Sequence, residues 1–256
     1  MNQVNCVEIN KIYNEDCLDG MKRIADGSVD MILCDLPYGT TRCKWDTVIP
    51  FEPLWEQYKR IIKLNGAIVL TAQSPFDKVL ACSNLQMYRY EWIIEKTNAT
   101  GHLNANRMPM KSHENALVLY KALPTYNPQM TTGHTPVHSA VSTIESQNKT
   151  SIYGKATRET VSGGSTSRYP RDVIKFKWDT QKSSLHPTQK PVALFEYLIK
   201  TYTNPGELVL DNCMGSGTTA IACMNTNRNF IGFEMDNGYY DIACNRIEKL
   251  KESGVF

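Results

Sequence analysis

Short apolar runs that alternate with helical segments constrain this chain more than any other feature. Val29–Cys34 and Ala67–Thr71 read as strands buried on both faces. Between them Glu52–Leu64 has helical periodicity and runs into Asn65-Gly66, a helix-ending signal. The same rhythm recurs elsewhere. Lys11–Asn14, Tyr90–Glu95, Ala116–Tyr120, Glu207–Leu210 and Asn229–Phe233 read as strands. Leu18–Ile24, Pro75–Cys82, Pro191–Tyr202 and Thr218–Met224 read as helices. Such alternation predicts an α/β fold, a mostly parallel doubly wound sheet with helices on both faces.

Length and charge narrow the function classes. The 256 residues, 41% of them apolar, suffice for one sizeable domain or one domain with an insertion. A net charge of +2 gives no strong global pull toward nucleic acid or membrane. No stretch approaches the roughly 20 apolar residues of a membrane span. The first ten residues lack a secretory layout, and the eight cysteines form no CxxC pair. Reduced thiols and a cytoplasmic location are therefore expected. His134 and His138 have metal-like spacing but no cysteine partner nearby, so no metal site is expected.

One segment breaks the rhythm. From Leu123 to Ser184 the chain is rich in Thr, Ser, Gly, Asn and Pro, with little periodicity. Residues 141–182 carry eight Lys or Arg against four Asp or Glu, with Tyr153, Tyr169, Phe176 and Trp178 interleaved. Composition alone fits either a solvated excursion or contact with nucleic acid, through phosphate pairing and base stacking.

Two strand ends carry chemistry. Asp35-Leu36-Pro37-Tyr38-Gly39 follows a buried strand and sets a carboxylate beside an aromatic ring. Leu208–Thr219 (LVLDNCMGSGTT) is a strand ending in Asp211, then a turn through Gly215 and Gly217 that opens a helix. Helix N-termini offer free N–H groups. Glu234, at the end of the next strand, is placed to accept hydrogen bonds from ribose hydroxyls. Together these suggest an adenosine-containing ligand. Gly215-x-Gly217-x-x-Ala220 also fits a dinucleotide fingerprint, which makes an oxidoreductase the rival. That rival leaves too little chain after the glycines for a second nucleotide-binding half, and it does not explain Asp35 and Tyr38.

Asp35-x-Pro37-Tyr38, HPTQKP at 186–191, and LDNCMGSGTT followed by FIGFEMD, in that order, resemble the amino-group DNA methyltransferases. The order is similar to the permuted branch, in which the catalytic motif comes first. The resemblance implies a Rossmann-like fold that uses S-adenosylmethionine to methylate an exocyclic nitrogen of adenine or cytosine. Residues 1–122 would form the catalytic half, 123–184 a target-recognition insertion and 185–256 the cofactor half. Asp35 and the Leu36 carbonyl, beside Pro37, would accept the target amino hydrogens, and Tyr38 would stack on the flipped base. Asp16, with Cys17 beside it, would read the cofactor adenine. Asp211, Asn212, Gly215, Gly217, Thr218 and Thr219 would surround its methionine part, helped by Gln189, Lys190 and Pro191, and Glu234 would hold its ribose. Family members with Asp in the first position mostly resemble adenine-N6 enzymes, those with Ser cytosine-N4 enzymes, so Asp35 points to adenine. Double-stranded DNA is the implied partner. A homodimer and a cognate restriction enzyme are further partners it allows, in a bacterial or phage-infected cell. Two positions depart from the family: Leu36 stands where Pro is usual, and Asn212-Cys213 where Pro-Phe is usual.

Overall fold

The structure, a computed structural model, describes residues 7–40, 46–136, 140–141, 161–177 and 189–254. His138, Tyr153, Trp178, residues 186–188 and four of the eight basic positions in 141–182, Lys149, Lys155, Arg158 and Lys182, lie outside the described residues. The first half contains β1 (Lys11–Tyr13), α1 (Cys17–Met21), β2 (Val29–Asp35), α2 (Phe51–Ile61), β3 (Ile62–Ala72), α3 (Phe76–Ser83), β4 (Tyr88–Thr100) and β5 (Lys111–Leu119). Then come β6 (Ala140–Val141), β7 (Val161–Ser162), β8 (Val173–Phe176), α4 (Val192–Tyr202), β9 (Leu208–Asp211), α5 (Thr218–Asn225), β10 (Asn229–Phe233) and α6 (Asn237–Glu252).

Eight strands form one sheet in the order β1-β10-β9-β2-β3-β5-β4-β8. All neighbours are parallel except the pairs β3–β5 and β5–β4. The alternating apolar runs are buried on both faces, as expected of a covered parallel sheet. Along β2, Met31 and Leu33 join a core with α4, α5 and α6, while Ile32 and Cys34 join a second core with α1, α2 and α3. The doubly wound α/β architecture is thus observed. Among the described residues Cys17, Cys34, Cys82, Cys223 and Cys244 on these elements are free thiols, as is Cys213 in the turn after β9. No helix among the described residues is long and apolar enough to cross a membrane.

One boundary differs from expectation. The helix over 52–64 stops at Ile61, and β3 already starts at Ile62, so Gly66 lies inside a strand. A Cβ on Gly66 would lie 2.8 Å from the Asp30 carbonyl oxygen and 2.7 Å from the Ile62 side chain. The glycine permits close strand approach and does not end a helix.

By internal contacts the chain divides into a larger unit, residues 1–127 with 172–256, and a smaller one, residues 128–171. β8 thus belongs to the larger unit although it falls within the stretch 123–184. In the smaller unit β6 and β7 pair antiparallel, and Thr131 and Arg168 form a bridge. Arg168 also donates to the carbonyls of Ser165 and Ser167, at 2.8 and 2.9 Å. Its guanidinium therefore ties this unit's own loops together. His134 shares a hydrogen bond with the Thr131 hydroxyl.

Candidate active site

β2 and β9 lie side by side, pairing Ile32 with Leu210. From β2 the chain passes to β3 on one side, and from β9 to β10 on the other. A crevice opens where such a sheet reverses its winding, outside the carboxyl ends of the strands. Here it is a cleft of about 540 Å³. Among the residues singled out from sequence, Asp16, Cys17, Asp35, Leu36, Pro37, Tyr38, Gln189, Lys190, Asp211, Asn212, Gly215, Thr218, Thr219 and Glu234 all line it. Pro191 and Gly217 do not. Pro191 occupies the N-cap position of α4. Gly217 caps α5 with a φ of +85°, and a Cβ there would lie 3.0 Å from that of Ala243 on α6. The glycine allows helix α6 to pack close.

One wall is built around Asp35. Its Oδ1 accepts from the Tyr38 hydroxyl at 2.6 Å and from the Thr71 hydroxyl on β3. Its Oδ2 accepts from Lys190 Nζ at 2.8 Å. Lys190 is 4% exposed and also lies 3.1 Å from Glu114 Oε2. Glu114 Oε1 in turn meets Lys96 Nζ and accepts from Gln73 Nε2 at 2.6 Å. Charges therefore alternate, Asp35, Lys190, Glu114, Lys96, along the wall. Burial opposes the charge on Lys190, but Asp35, Tyr38 and Glu114 around it raise its pKa well above the usual lysine value. Burial likewise opposes ionised Glu114, and Lys190 and Lys96 outweigh it, so its pKa falls. Tyr38 stacks on Phe76, with ring centroids 5.2 Å apart, and Lys190 Nζ sits 5.6 Å from its ring centre. Burial and neighbouring Asp35 push the Tyr38 phenol well up, so it stays a donor.

The turn after Asp35 is held from both sides. Leu36, where the family usually has Pro, is buried in the core with α1 and α2. Burying such a side chain contributes about 1.5–3 kcal/mol, which anchors the turn by packing where a ring would have stiffened it. Asp46 accepts from the N–H groups of Gly39 and Thr40, at 2.8 and 2.9 Å.

The opposite wall is the bend after β9. Gly215 has a φ of +52°, and a Cβ there would meet no protein atom within 4 Å. Asp211 accepts from the Thr219 hydroxyl at the start of α5, and from the Cys213 N–H at 3.0 Å. Burial pushes its carboxyl up to about 6. Glu234 accepts from the N–H groups of Gly215 and Asp236, at 2.7 and 2.8 Å, and burial raises its pKa too. Asp16 caps α1 by accepting from Leu18 N–H at 2.7 Å. Among the described residues no lysine or arginine pairs with Asp16, Asp211 or Glu234. The Gln189 side-chain oxygen is buried and has no hydrogen-bond partner there. Three carboxylates without counter-ions, an open glycine and an orphaned acceptor fit a cationic, hydrogen-bonding ligand. No group of three or more metal-ligating side chains occurs among the described residues.

A family model described as DNA methylase, for the N6/N4 type, matches residues 29–245. The chain belongs to this family. It is 30% identical over 258 residues to the type II methyltransferase M.BglII of Bacillus subtilis, an alignment covering 92% of this chain and 68% of that protein. It is 30% identical over 255 residues to M1.MboII of Moraxella bovis, covering 93% and 96%. Among solved structures, the M1.HpyAVI–SAM complex superposes with a TM-score of 0.62 at 26% identity, covering 93% of this chain and 98% of that one. The cytosine-N4-specific PvuII methyltransferase superposes at 0.66 with 13% identity, a likeness of fold. The dinucleotide reading of the glycine bend is overturned by the family match.

Glu114, Lys96, Gln73 and Asp46 escaped the sequence reading. Lys96 and Glu114 lie on strands whose apolar pattern masks them, and only the register Ile94–Glu114 brings them to the cleft. Asp46 gave one signal, an acid seven residues beyond Gly39, too common a pattern to single out.

Proposed function

We propose that this DNA methylase transfers a methyl group from S-adenosylmethionine to the exocyclic N6 of an adenine swung out of double-stranded DNA. The observation that carries this reading is that the Asp35–Tyr38 tip and the Gly215–Glu234 bend line one cleft. The cofactor supplies an electrophilic methyl on a sulfonium that leaves as a neutral thioether. The rest of the task is positioning and electrostatics. An exocyclic amino nitrogen is a poor nucleophile because its lone pair is delocalised into the ring. Asp35 and the Leu36 carbonyl accept hydrogen bonds from its two N–H groups, which favours a pyramidal nitrogen with a localised lone pair. Once methylated, the nitrogen releases one of these protons to Asp35 or to solvent. Three donors already use Asp35, out of about four lone-pair sites on a carboxylate. The amino hydrogen takes the remaining site or displaces the Tyr38 hydroxyl. Tyr38, backed by Phe76, offers the flipped base a stacking surface.

On the other wall Glu234 keeps lone pairs for two ribose hydroxyls, and Asp211, Thr218, Thr219 and Gln189 face the amino-acid end of the cofactor. Asp16 reads its adenine. The choice of adenine rests on Asp35 in the first motif position, and cytosine-N4 is the alternative. Residues 123–184 serve as the target-recognition insertion. Relatives named as type II methyltransferases favour a cognate restriction enzyme as a partner.

Replacing Asp35 by Ala tests the reading. Methyl transfer to DNA is expected to vanish while calorimetry shows cofactor affinity within about twofold, or ~0.4 kcal/mol, of the parent. Near-normal turnover in the variant would refute the assignment. Modified-base sequencing of DNA from expressing cells decides the base, and N4-methylcytosine there would replace adenine by the alternative.

A further inference from the structure

β4 and β5 outrun the sheet. β5 pairs with β3 only as far as Asn115, and β4 pairs with β8 only as far as Lys96. Among the described residues β5 beyond Asn115 pairs with β4 alone, through Ile94–Glu114, Glu95–His113 and Thr100–Lys111, and past Lys96 β4 pairs with β5 alone. From Asn115 to Lys111 the extension is about 13 Å at ~3.3 Å per residue. Four residues of β4 lie between those pairs against one of β5, a bulge that bends the strand. The tip is an ordered turn. Asn104 N–H donates to the Gly101 carbonyl at 2.9 Å, and Met108 N–H to the Asn104 carbonyl at 3.0 Å.

The base of this extension faces the cleft, since Lys96, Asn98 and Thr100 line it. It rises from the same sheet edge as Asp35, because Asp35 pairs with Thr71 and Thr71 with Ala116. Residues 97–113 are all exposed. That stretch contains no Asp or Glu, while it carries Arg107, Lys111, His102 and His113. Apolar side chains stand out of it: Leu103 is 88% exposed and Met108 54%. Lys111 spends one donor on the Ser74 carbonyl, and Arg107 has no ion pair among the described residues. Nothing in the fold uses this combination. Cationic groups on an acid-free surface attract a polyanion, and an apolar side chain at its tip can enter between base steps and unstack them.

We infer that the β4–β5 tip is a DNA contact of the methylation reaction. Arg107 and Lys111 meet phosphates beside the target, and Leu103 enters the stack where the target base leaves. This rests on the DNA-methylation reading above. A second copy of the chain is disfavoured as occupant, because two like tips would bring like charges together with no acid between them.

The target site is first mapped by sequencing DNA methylated by the parent enzyme. Leu103→Ala is then compared with the parent on two duplexes: the normal site, and the same site with an abasic position opposite the target base. On the paired duplex, turnover at saturating DNA is expected to fall about tenfold, ~1.4 kcal/mol, since the unstacking cost is no longer offset. On the abasic duplex it should stay within about twofold, because that base is already unpaired. A role in folding alone would lower both equally. Equal losses, or no loss, overturn the wedge. So does a variant whose only change is in oligomeric state. Arg107→Ala should weaken duplex binding and reduce the slope of log affinity against log salt by about one. An unchanged slope overturns the phosphate contact. A parent enzyme that transfers no methyl group to any DNA would sink the functional reading itself. In that event the salt dependence of parent and Arg107→Ala binding to an arbitrary duplex, read by fluorescence anisotropy, still tests the tip.

Discussion

The two walls of the cleft hold their carboxylates in opposite ways. On the Asp35 wall Asp35 and Glu114 have ammonium groups beside them, with Lys190 between the two acids and Lys96 beyond. On the Gly215 wall Asp211 and Glu234 are held by uncharged donors, backbone N–H groups, the Thr219 hydroxyl and the Cys34 thiol. On the proposed reading the difference matches the two guests. A neutral base brings no charge, and the acid proposed to receive it is neutralised in advance. The cofactor's sulfonium and α-ammonium are positive, and Asp211, proposed to face its amino-acid end, has no cation beside it, nor has Glu234, proposed to hold its ribose; burial raises the pKa of both.

The sharpest way to break this contrast is to remove Lys190. Lys190→Met leaves Asp35 and Glu114 as neighbouring acids without the cation between them. Stripping one partner from a buried pair costs about 3–5 kcal/mol. Denaturant unfolding at pH 8 should show a loss of this order. The loss should shrink as pH falls, because burial favours protonated Glu114 and Lys190 opposes it, so without Lys190 this carboxyl takes up a proton more readily in the folded than in the unfolded chain. An unchanged midpoint at pH 8 would mean that the wall is not held by charge. On the other wall, Glu234→Ala should leave stability nearly intact and raise the cofactor dissociation constant by about 30- to 100-fold, ~2–3 kcal/mol for hydrogen bonds to a charged acceptor. Calorimetry showing parental affinity would remove Glu234 from that wall's function.

A smaller, pH-dependent effect follows from Asp211, whose carboxyl burial pushes up to about 6. A cationic ligand binds the ionised form better. As pH falls through 6 the acid protonates, and cofactor affinity should drop by up to about tenfold per pH unit, ~1.4 kcal/mol. Above pH 6 it should be flat. Asp211→Asn should show weaker but pH-independent binding across the same range. A parent profile without this acid limb would show that Asp211 does not face the cofactor's charge.

Legibility in the sequence differs between the walls for the same physical reason that their chemistry differs. The Gly215 wall is local: Asp211, Gly215, Thr219 and Glu234 lie within one strand–turn–helix–strand unit, and its backbone demands are written in glycines. Asp35 and Tyr38 are equally local, which is why the tip of β2 could be read from five residues. The rest of that wall is assembled by strand pairing. Glu114 reaches Lys190, and Lys96 reaches Glu114, only because β5 runs antiparallel between β3 and β4, and no periodicity announces that. The two-faced burial of the parallel strands was legible from their unbroken apolar runs. Gly66 was not, because Asn-Gly after an amphipathic run looks the same whether it ends a helix or lets two strands approach.

Gly217 offers the finest test of where the cofactor wall stops. It carries a φ of +85°, yet it does not line the cleft, and its α-carbon faces Ala243 of α6. Gly217→Ala must place an L side chain in the left-handed region, at a cost of about 1 kcal/mol. The new methyl also presses on Ala243, where the contact of 3.0 Å asks α6 to yield by a few tenths of an ångström. If Gly217 serves packing alone, the melting temperature should fall by a few degrees while cofactor affinity stays within about twofold, ~0.4 kcal/mol. At Gly215, where the space is open, alanine should do the reverse: the methyl points into the space proposed for the cofactor, and affinity should fall more than stability does. Should Gly217→Ala instead abolish binding at unchanged stability, the bend would be a single rigid cradle and both glycines would belong to the cofactor wall.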